Sequence, residues 1–162
     1  MVFNLCLQYV QNTEDAEEIT QDVFVKVHDS LPGFQQASAP STWIYRISIN
    51  TALDFIKAKN RKKRFAVITS LFNSKNDLEN TSVTFEHPGI ALENKEALQH
   101  LFSQLNTLPS NQQTAIILNK IEGKSHAAIA EILQISHKAA ESLVQRAKTN
   151  LMQKIRAAKE NE

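Results

Sequence analysis

Six basic residues fill the eight positions from Lys57 to Arg64: Lys57, Lys59, Arg61, Lys62, Lys63 and Arg64, with nothing acidic among them. Cations at the C-terminal end of a helix gain ~0.3–1 kcal/mol from the macrodipole. That accounts for one or two of them, not six. A polyphosphate partner accounts for six, because each neutralised phosphate releases condensed counterions. The preceding stretch, "STWIYRISINTALDFI", adds Trp43 and Tyr45, which either stack on unpaired bases or pack in a core. For Trp43 the core is the stronger expectation. Asn50 and Asp54 stand at i, i+4 on one helix face, either as an ordinary exposed pair or as hydrogen-bonding groups for the bases of an opened strand.

A second set lies in "KSHAAIAEILQISHKAAESLVQRAKTNL". A capped helix of about nine residues, a three-residue turn and a longer capped helix make a helix-turn-helix. The small residues Ala127, Ala128 and Ala130 suit close packing of two helices at a steep angle. In such units the N-terminal part of the second helix enters the major groove and reads base edges. Those positions hold Ser136, His137, Lys138, Ala139, Glu141, Ser142 and Gln145, with Arg146 and Lys148 further along and suited to phosphates. A plain helical hairpin is the alternative; the second basic block tips the balance towards DNA.

Net charge is only +1, yet the distribution is uneven. Met1 to Gln35 carries six acidic residues against Lys26 alone, whereas Lys138 to Lys159 carries six basic residues against Glu141 alone. One acidic and two basic surfaces imply two kinds of partner. No enzyme is indicated. The five histidines and Cys6 have no ligand spacing, so no metal is expected, and neither a Gly-rich phosphate loop nor a nucleophile motif occurs. No cofactor is expected. A single cysteine excludes an internal disulfide framework and fits a reducing cytoplasm. No apolar run approaches the ~18 residues of a membrane span, and the start has no signal-peptide pattern, so no membrane insertion is expected.

The elements that must position these groups are helices. Three glycines and four prolines in 162 residues are too few for an all-β fold. Thr13 to Leu31 has the helical spacing Ala16, Ile19, Val23, Val27, Leu31, with Thr13 as its expected N-cap and Pro32-Gly33 as its stop. Ser41 or Thr42 caps a second helix ending in the basic block, with Trp43, Ile47, Phe55 and either Thr51 or Ala52 inward. Phe65 to Ile90 has no sustained period and reads as a linker. Four helices follow: Ala91–Leu105, Ser110–Ile121 (ended by Gly123), one from the Ser125 cap to about Leu133, and one from the Ser136 cap to about Ala158. The last has Ala140, Val144, Ala147, Leu151 and Ile155 inward. The expected fold class is all-α: two small helical domains, residues 1–64 and 91–160, joined by a flexible linker at 65–90.

"DAEEITQDVFVKV", "STWIYRISINTALDFIKAKNRKKR", a polar linker and "LNTLPSNQQTAIILNKIEGKSHAAIAEILQISHKAAESLVQRAKTNL", in that order, closely resemble the extracytoplasmic-function (ECF) group of bacterial RNA polymerase sigma factors. The resemblance implies a sigma-two domain that binds core RNA polymerase through Asp15, Glu18, Gln21 and Asp22. It implies that Asn50, Asp54, Lys57, Arg61 and Lys62 hold the melted −10 element, with a flipped base near residues 39–42. It also implies a sigma-four domain that docks its helix-turn-helix on the −35 element of promoter DNA, and an anti-sigma partner. Members carry a further helix before the segment matching "VFNLCLQYV", so the first helix of the sigma-two domain is expected to be missing. Glu141 and Leu143 stand where many members have basic residues, which implies weaker or differently specific −35 contacts, and His126 replaces a common Tyr. A DNA-binding regulator that does not recruit polymerase would use the same helix-turn-helix, but it needs neither the acidic helix nor the aromatic-basic one.

Overall fold

The computed structural model describes residues 1–72 and 95–160. Among them every regular element is helical. The first three helices are α1 (Val2–Val10), α2 (Thr13–Ser30, followed by a 3₁₀ turn at Leu31–Gly33) and α3 (Pro40–Phe72). They pack on one another around Leu5, Cys6, Tyr9, Ala16, Ile19, Val23, Ile49 and Ala52, all buried. The α2 contribution repeats at steps of three and four, as its sequence requires. Helices α4 (Lys95–Asn106), α5 (Ser110–Ile116, continued by a wider π turn at Ile117–Ile121), α6 (His126–Leu133) and α7 (His137–Glu160) form the second group. Its core holds Phe102, Leu105, Ile117, Leu118, Ile129, Ala140, Val144 and Ala147.

Several boundaries differ from expectation for local reasons. The segment "VFNLCLQYV" is itself a helix, closed by Gln11 in the left-handed region at φ 54°. The N-cap of α2 is Asn12, not Thr13: its side chain accepts from the Asp15 amide at 2.8 Å. Helix α3 starts at Pro40, where a missing N–H costs nothing, so Ser41 and Thr42 lie inside its first turn. The same helix runs on to Phe72, through the first eight positions of the expected linker, where neither Gly nor Pro interrupts it. The rest of the expected linker, and residues 91–94 of the expected next helix, lie outside the described residues. Ser110–Ile121 is one continuous helical segment, but its last turn is π, and Gly123 at φ 64° ends it as expected. Ser125 and Ser136 both cap as expected, accepting from the amides of Ala128 and Ala139 at 3.2 Å each.

The two groups meet along α3–α6 and α1–α5: one apolar cluster runs through both, and hydrogen bonds such as Tyr9 to Thr114 and Arg46 to the Ile132 carbonyl cross between them.

Candidate nucleic-acid interface

Asn50, Asp54, Lys57 and Arg61 repeat at steps of four, three and four along α3, and all four are exposed. Lys62 is exposed as well. Asp54 accepts from the Lys57 ammonium at 3.2 Å, an open ion pair that breaks readily in water. Asp54, Lys57, Asn60, Arg61 and Arg64 line one shallow open groove. The structure therefore brings Asn50, Asp54, Lys57 and Arg61 onto one stripe and leaves Lys62 beside it, outside the groove lining. Lys59 is set apart from them: its ammonium pairs with the Asp15 carboxylate on α2 and lies 5.8 Å from the Phe55 ring centroid.

The aromatic residues divide. Trp43 is half-buried, its ring 4.7 Å from that of Phe34 in the loop before α3. Tyr45 is only 4% exposed and donates its hydroxyl to Glu122 at 2.7 Å. It has no free face for a base. Burial, and next the neighbouring Glu122 carboxylate, push its phenol above its ordinary range.

At the helix-turn-helix, Ser136, His137, Lys138, Glu141, Ser142, Gln145, Arg146 and Lys148 are exposed, and Ala139 is half-covered. The N-terminal end of α7 thus presents these side chains to solvent, held by its own cap. Leu143 corrects an expectation: it is 7% exposed and belongs to the core. Of the two departures noted in the recognition helix, only Glu141 can alter groove contacts. His126 and His137 flank the turn with ring centroids 6.3 Å apart, edge to face.

On α2, Glu18, Gln21 and Asp22 are exposed. Phe24 and Val25 on α2 and Leu31 in the turn after it are exposed apolar groups as well, at 58%, 59% and 57%. Asp15 is turned away from that face towards Lys59.

Tyr45 and several residues that the sequence did not single out make hydrogen bonds between the two halves. Glu122 accepts from Gln8 and Tyr45, Tyr9 donates to Thr114, and Arg46 donates to the carbonyls of Glu131 and Ile132. These pairs are separated by 77 to 114 positions, beyond the reach of any periodicity argument.

No helix among the described residues is long and apolar enough to cross a membrane, and no group of three or more His, Cys, Asp or Glu could hold a metal.

Comparison with known proteins follows the same division. Residues 1–62 match the Sigma-70 region 2 family and residues 98–151 match the Sigma-70 region 4 family. The chain is 29% identical over 154 residues to the ECF RNA polymerase sigma-E factor of Haemophilus influenzae, covering 95% of this chain and 81% of that one. It is 28% identical over 133 residues to the RNA polymerase sigma-H factor of Pseudomonas aeruginosa, covering 82% and 69%. In fold it is similar to the sigma factor RpoE of Bartonella quintana, solved with the anti-sigma factor NepR, at a TM-score of 0.63 and 21% identity over 96% of this chain and 89% of that one. CnrH, solved with the cytosolic domain of CnrY, gives a TM-score of 0.64 at 20% identity, over 96% and 80%. With both domain families matched in order, and named relatives spanning them, the chain belongs to the ECF sigma factors: it is a non-catalytic alternative sigma factor that directs RNA polymerase to promoters.

Proposed function

We propose the following division of labour within this sigma factor. Residues 1–64 form the unit that engages core polymerase and the −10 element, residues 65–90 the connection, and residues 91–160 the unit that docks on the −35 element. The acidic-apolar face of α2 is the polymerase surface, with Glu18, Gln21 and Asp22 at its centre. Asp15, already matched by Lys59, is its weakest member. Asn50 and Asp54 face the bases of the opened −10 strand, and Lys57, Arg61 and Lys62 hold its phosphates. Unstacking costs a few kcal/mol per base, which dense phosphate contacts offset. Ser136, His137, Lys138, Ala139, Glu141, Ser142 and Gln145 face the −35 groove, with Arg146 and Lys148 on its backbone. The working compartment is the cytoplasm. An anti-sigma protein holds the chain until a signal arrives; this is supported by two structures of similar fold, each solved with a partner protein, an anti-sigma factor in the case of NepR.

The observation that carries this reading is the single exposed stripe Asn50–Asp54–Lys57–Arg61 on an unbroken helix, separate from the acidic face of α2. The test is promoter-dependent run-off transcription with bacterial core RNA polymerase and upstream fragments of the source genome. Specific transcripts that vanish with Lys57→Ala/Arg61→Ala/Lys62→Ala support the assignment. Binding to promoter fragments without any polymerase binding would instead make the chain a plain DNA-binding regulator.

A further inference from the structure

We propose that this chain carries a binding site for a nucleoside monophosphate in the crevice bounded by α1, α3 and the α4–α5 turn, where Lys63 takes the phosphate and the Asn106–Gln113 pair meets the edge of the base. The site stands on its geometry alone; its effect on the opened strand rests on the sigma-factor reading.

The crevice has a volume of about 350 Å³, at the small end of the ~300–1,000 Å³ that ligand sites occupy. Its lining is of three kinds. The apolar part is Tyr9, Val10 and Ile56. The Tyr9 hydroxyl is already donated to Thr114 at 2.8 Å, so what Tyr9 offers the crevice is its ring. Such a wall suits a flat, weakly polar ring system.

The second kind is amides. Gln113 Nε2 donates to Asn106 Oδ1 at 2.8 Å. That bond leaves Asn106 Nδ2 as a donor and Gln113 Oε1 as an acceptor, neither with a partner among the described residues. Gln113 is only 6% exposed, so its unpartnered oxygen is costly unless a donor enters the crevice. A neighbouring donor and acceptor match the edge of a nucleobase, as a single amide side chain does on adenine.

The third kind is charge. Lys59 and Lys63 line the crevice with Asp15 as its one carboxylate. Lys59 is paired with Asp15, and Lys63 pairs with no carboxylate among the described residues. One surplus cation suits one phosphate group. A triphosphate would bring further negative charge against Asp15.

The crevice also borders the proposed strand track. Asn60 lines both it and the open groove of Asp54, Lys57, Arg61 and Arg64. A phosphate held at Lys63 sets negative charge within one helical turn of Arg61 and Arg64, where salt screens it only in part. The bound nucleotide therefore weakens the hold on strand phosphates, and a bound strand weakens the nucleotide by the same factor.

The experiment uses the full-length chain. Binding of AMP, GMP, CMP and UMP is measured by titration calorimetry, with ATP, adenosine and inorganic phosphate as comparison probes. The site gives at least one monophosphate bound on the order of tenfold or more tighter than any comparison probe. Lys63→Ala weakens that binding on the order of tenfold, Asp15→Asn tightens it, and Asn106→Ala changes the order of preference among the four bases. Lys63 and Asn106 are exposed, so the fold survives these changes. No monophosphate binding at millimolar concentration, inorganic phosphate binding as tightly as AMP, or binding untouched by both Lys63→Ala and Asn106→Ala overturns the site. Affinity for a −10 single strand is then measured with the preferred monophosphate bound. A drop of roughly twofold at low salt supports a separate effector site. An unmoved strand affinity overturns the coupling, and complete exclusion of the strand overturns the separate site by making the crevice part of the strand track. If the monophosphate binds but the strand is not held even with core polymerase present, the site stands and the −10 assignment falls.

Discussion

Helices α3 and α7 are both long, both basic on one side and both assigned to DNA, yet they are anchored in opposite ways. In α7 the residues proposed to face the groove sit at the capped N-terminal end, directly over Ala140, Leu143, Val144 and Ala147, which pack into the core. In α3 the buried residues, among those described, are Thr42, Tyr45, Ser48, Ile49, Thr51 and Ala52. The basic block follows them, past the last buried residue described in this helix, with Lys57, Arg61, Lys62 and Arg64 exposed and Lys59 tied back to α2. The difference fits the two tasks. Reading base edges demands a side chain fixed to within a fraction of an ångström, whereas phosphate contacts carry charge and position but no sequence. A platform serves the first, and an exposed basic arm the second.

The largest expected effect comes from breaking the platform. Ile129 on α6 is fully buried beneath α7. Ile129→Ala should cost about 2–5 kcal/mol in chemical denaturation and abolish −35-dependent transcription. Binding of an opened −10 strand should survive. Loss of both together would mean that the arm depends on the platform.

Next in size is the converse change. Lys57→Ala/Arg61→Ala/Lys62→Ala alters three exposed residues and should leave stability within about 0.5 kcal/mol. It should flatten the salt dependence of strand binding by a slope of about 2, at ~0.7 per phosphate on single strands. Arg146→Ala/Lys148→Ala should flatten the duplex −35 slope by a similar amount and leave strand binding alone. If either set moves both slopes, the two helices share one site.

The cores beneath the helices can be probed by alkali. Burial pushes the Cys6 thiol up from 9.0 to about 11, against a smaller lowering by the Thr20 hydroxyl. Its folded value lies above its unfolded one, so its contribution is full below pH 9 and is lost as pH rises towards 11. That two-unit gap amounts to roughly 2–3 kcal/mol. Tyr9 and Tyr45 are pushed upward by burial too, with the same sign. Denaturation midpoints should hold between pH 7 and 9 and fall beyond. Cys6→Ala should flatten part of that fall. At pH 8 a thiol reagent should label Cys6 far more slowly than the unfolded chain.

The sequence disclosed the platform better than the arm. Ser125, Gly123, Ser136 and the α7 stripe are local signals, and each marks a boundary within one or two residues of its place. Leu143 belongs to the core because the helical period sets it beside Ala140, Val144 and Ala147, which likeness to relatives at that position does not reveal. On α3 the basic block was plain, but its end was not, since residues 65–72 lack a stop signal and were read as linker. Tyr45 was ambiguous for another reason: whether an aromatic meets a base or a carboxylate depends on Glu122, 77 positions away. The hydrogen bonds between the two halves were illegible as a set, because no local pattern encodes a pairing at that distance.

The smallest expected effect sharpens the comparison most. Lys59 lies on the arm, but it is tied to α2 through Asp15, the two side chains being 41% and 17% exposed. A pair this accessible is worth less than about 1 kcal/mol, so Asp15→Asn should barely move the denaturation midpoint. What it should move is charge. Freed from Asp15, Lys59 can turn to the strand, and the salt slope of −10 strand binding should steepen by up to ~0.7, one further phosphate. Glu18→Gln/Asp22→Asn should leave that slope alone and weaken polymerase binding instead, because these carboxylates are exposed on the outer face of α2. If Asp15→Asn weakens polymerase binding as much as Glu18→Gln/Asp22→Asn does and leaves the strand slope unchanged, Asp15 belongs to the polymerase face and its contact with Lys59 is incidental. If the slope steepens and polymerase binding holds, Asp15 is the tether that keeps one cation of the arm in reserve.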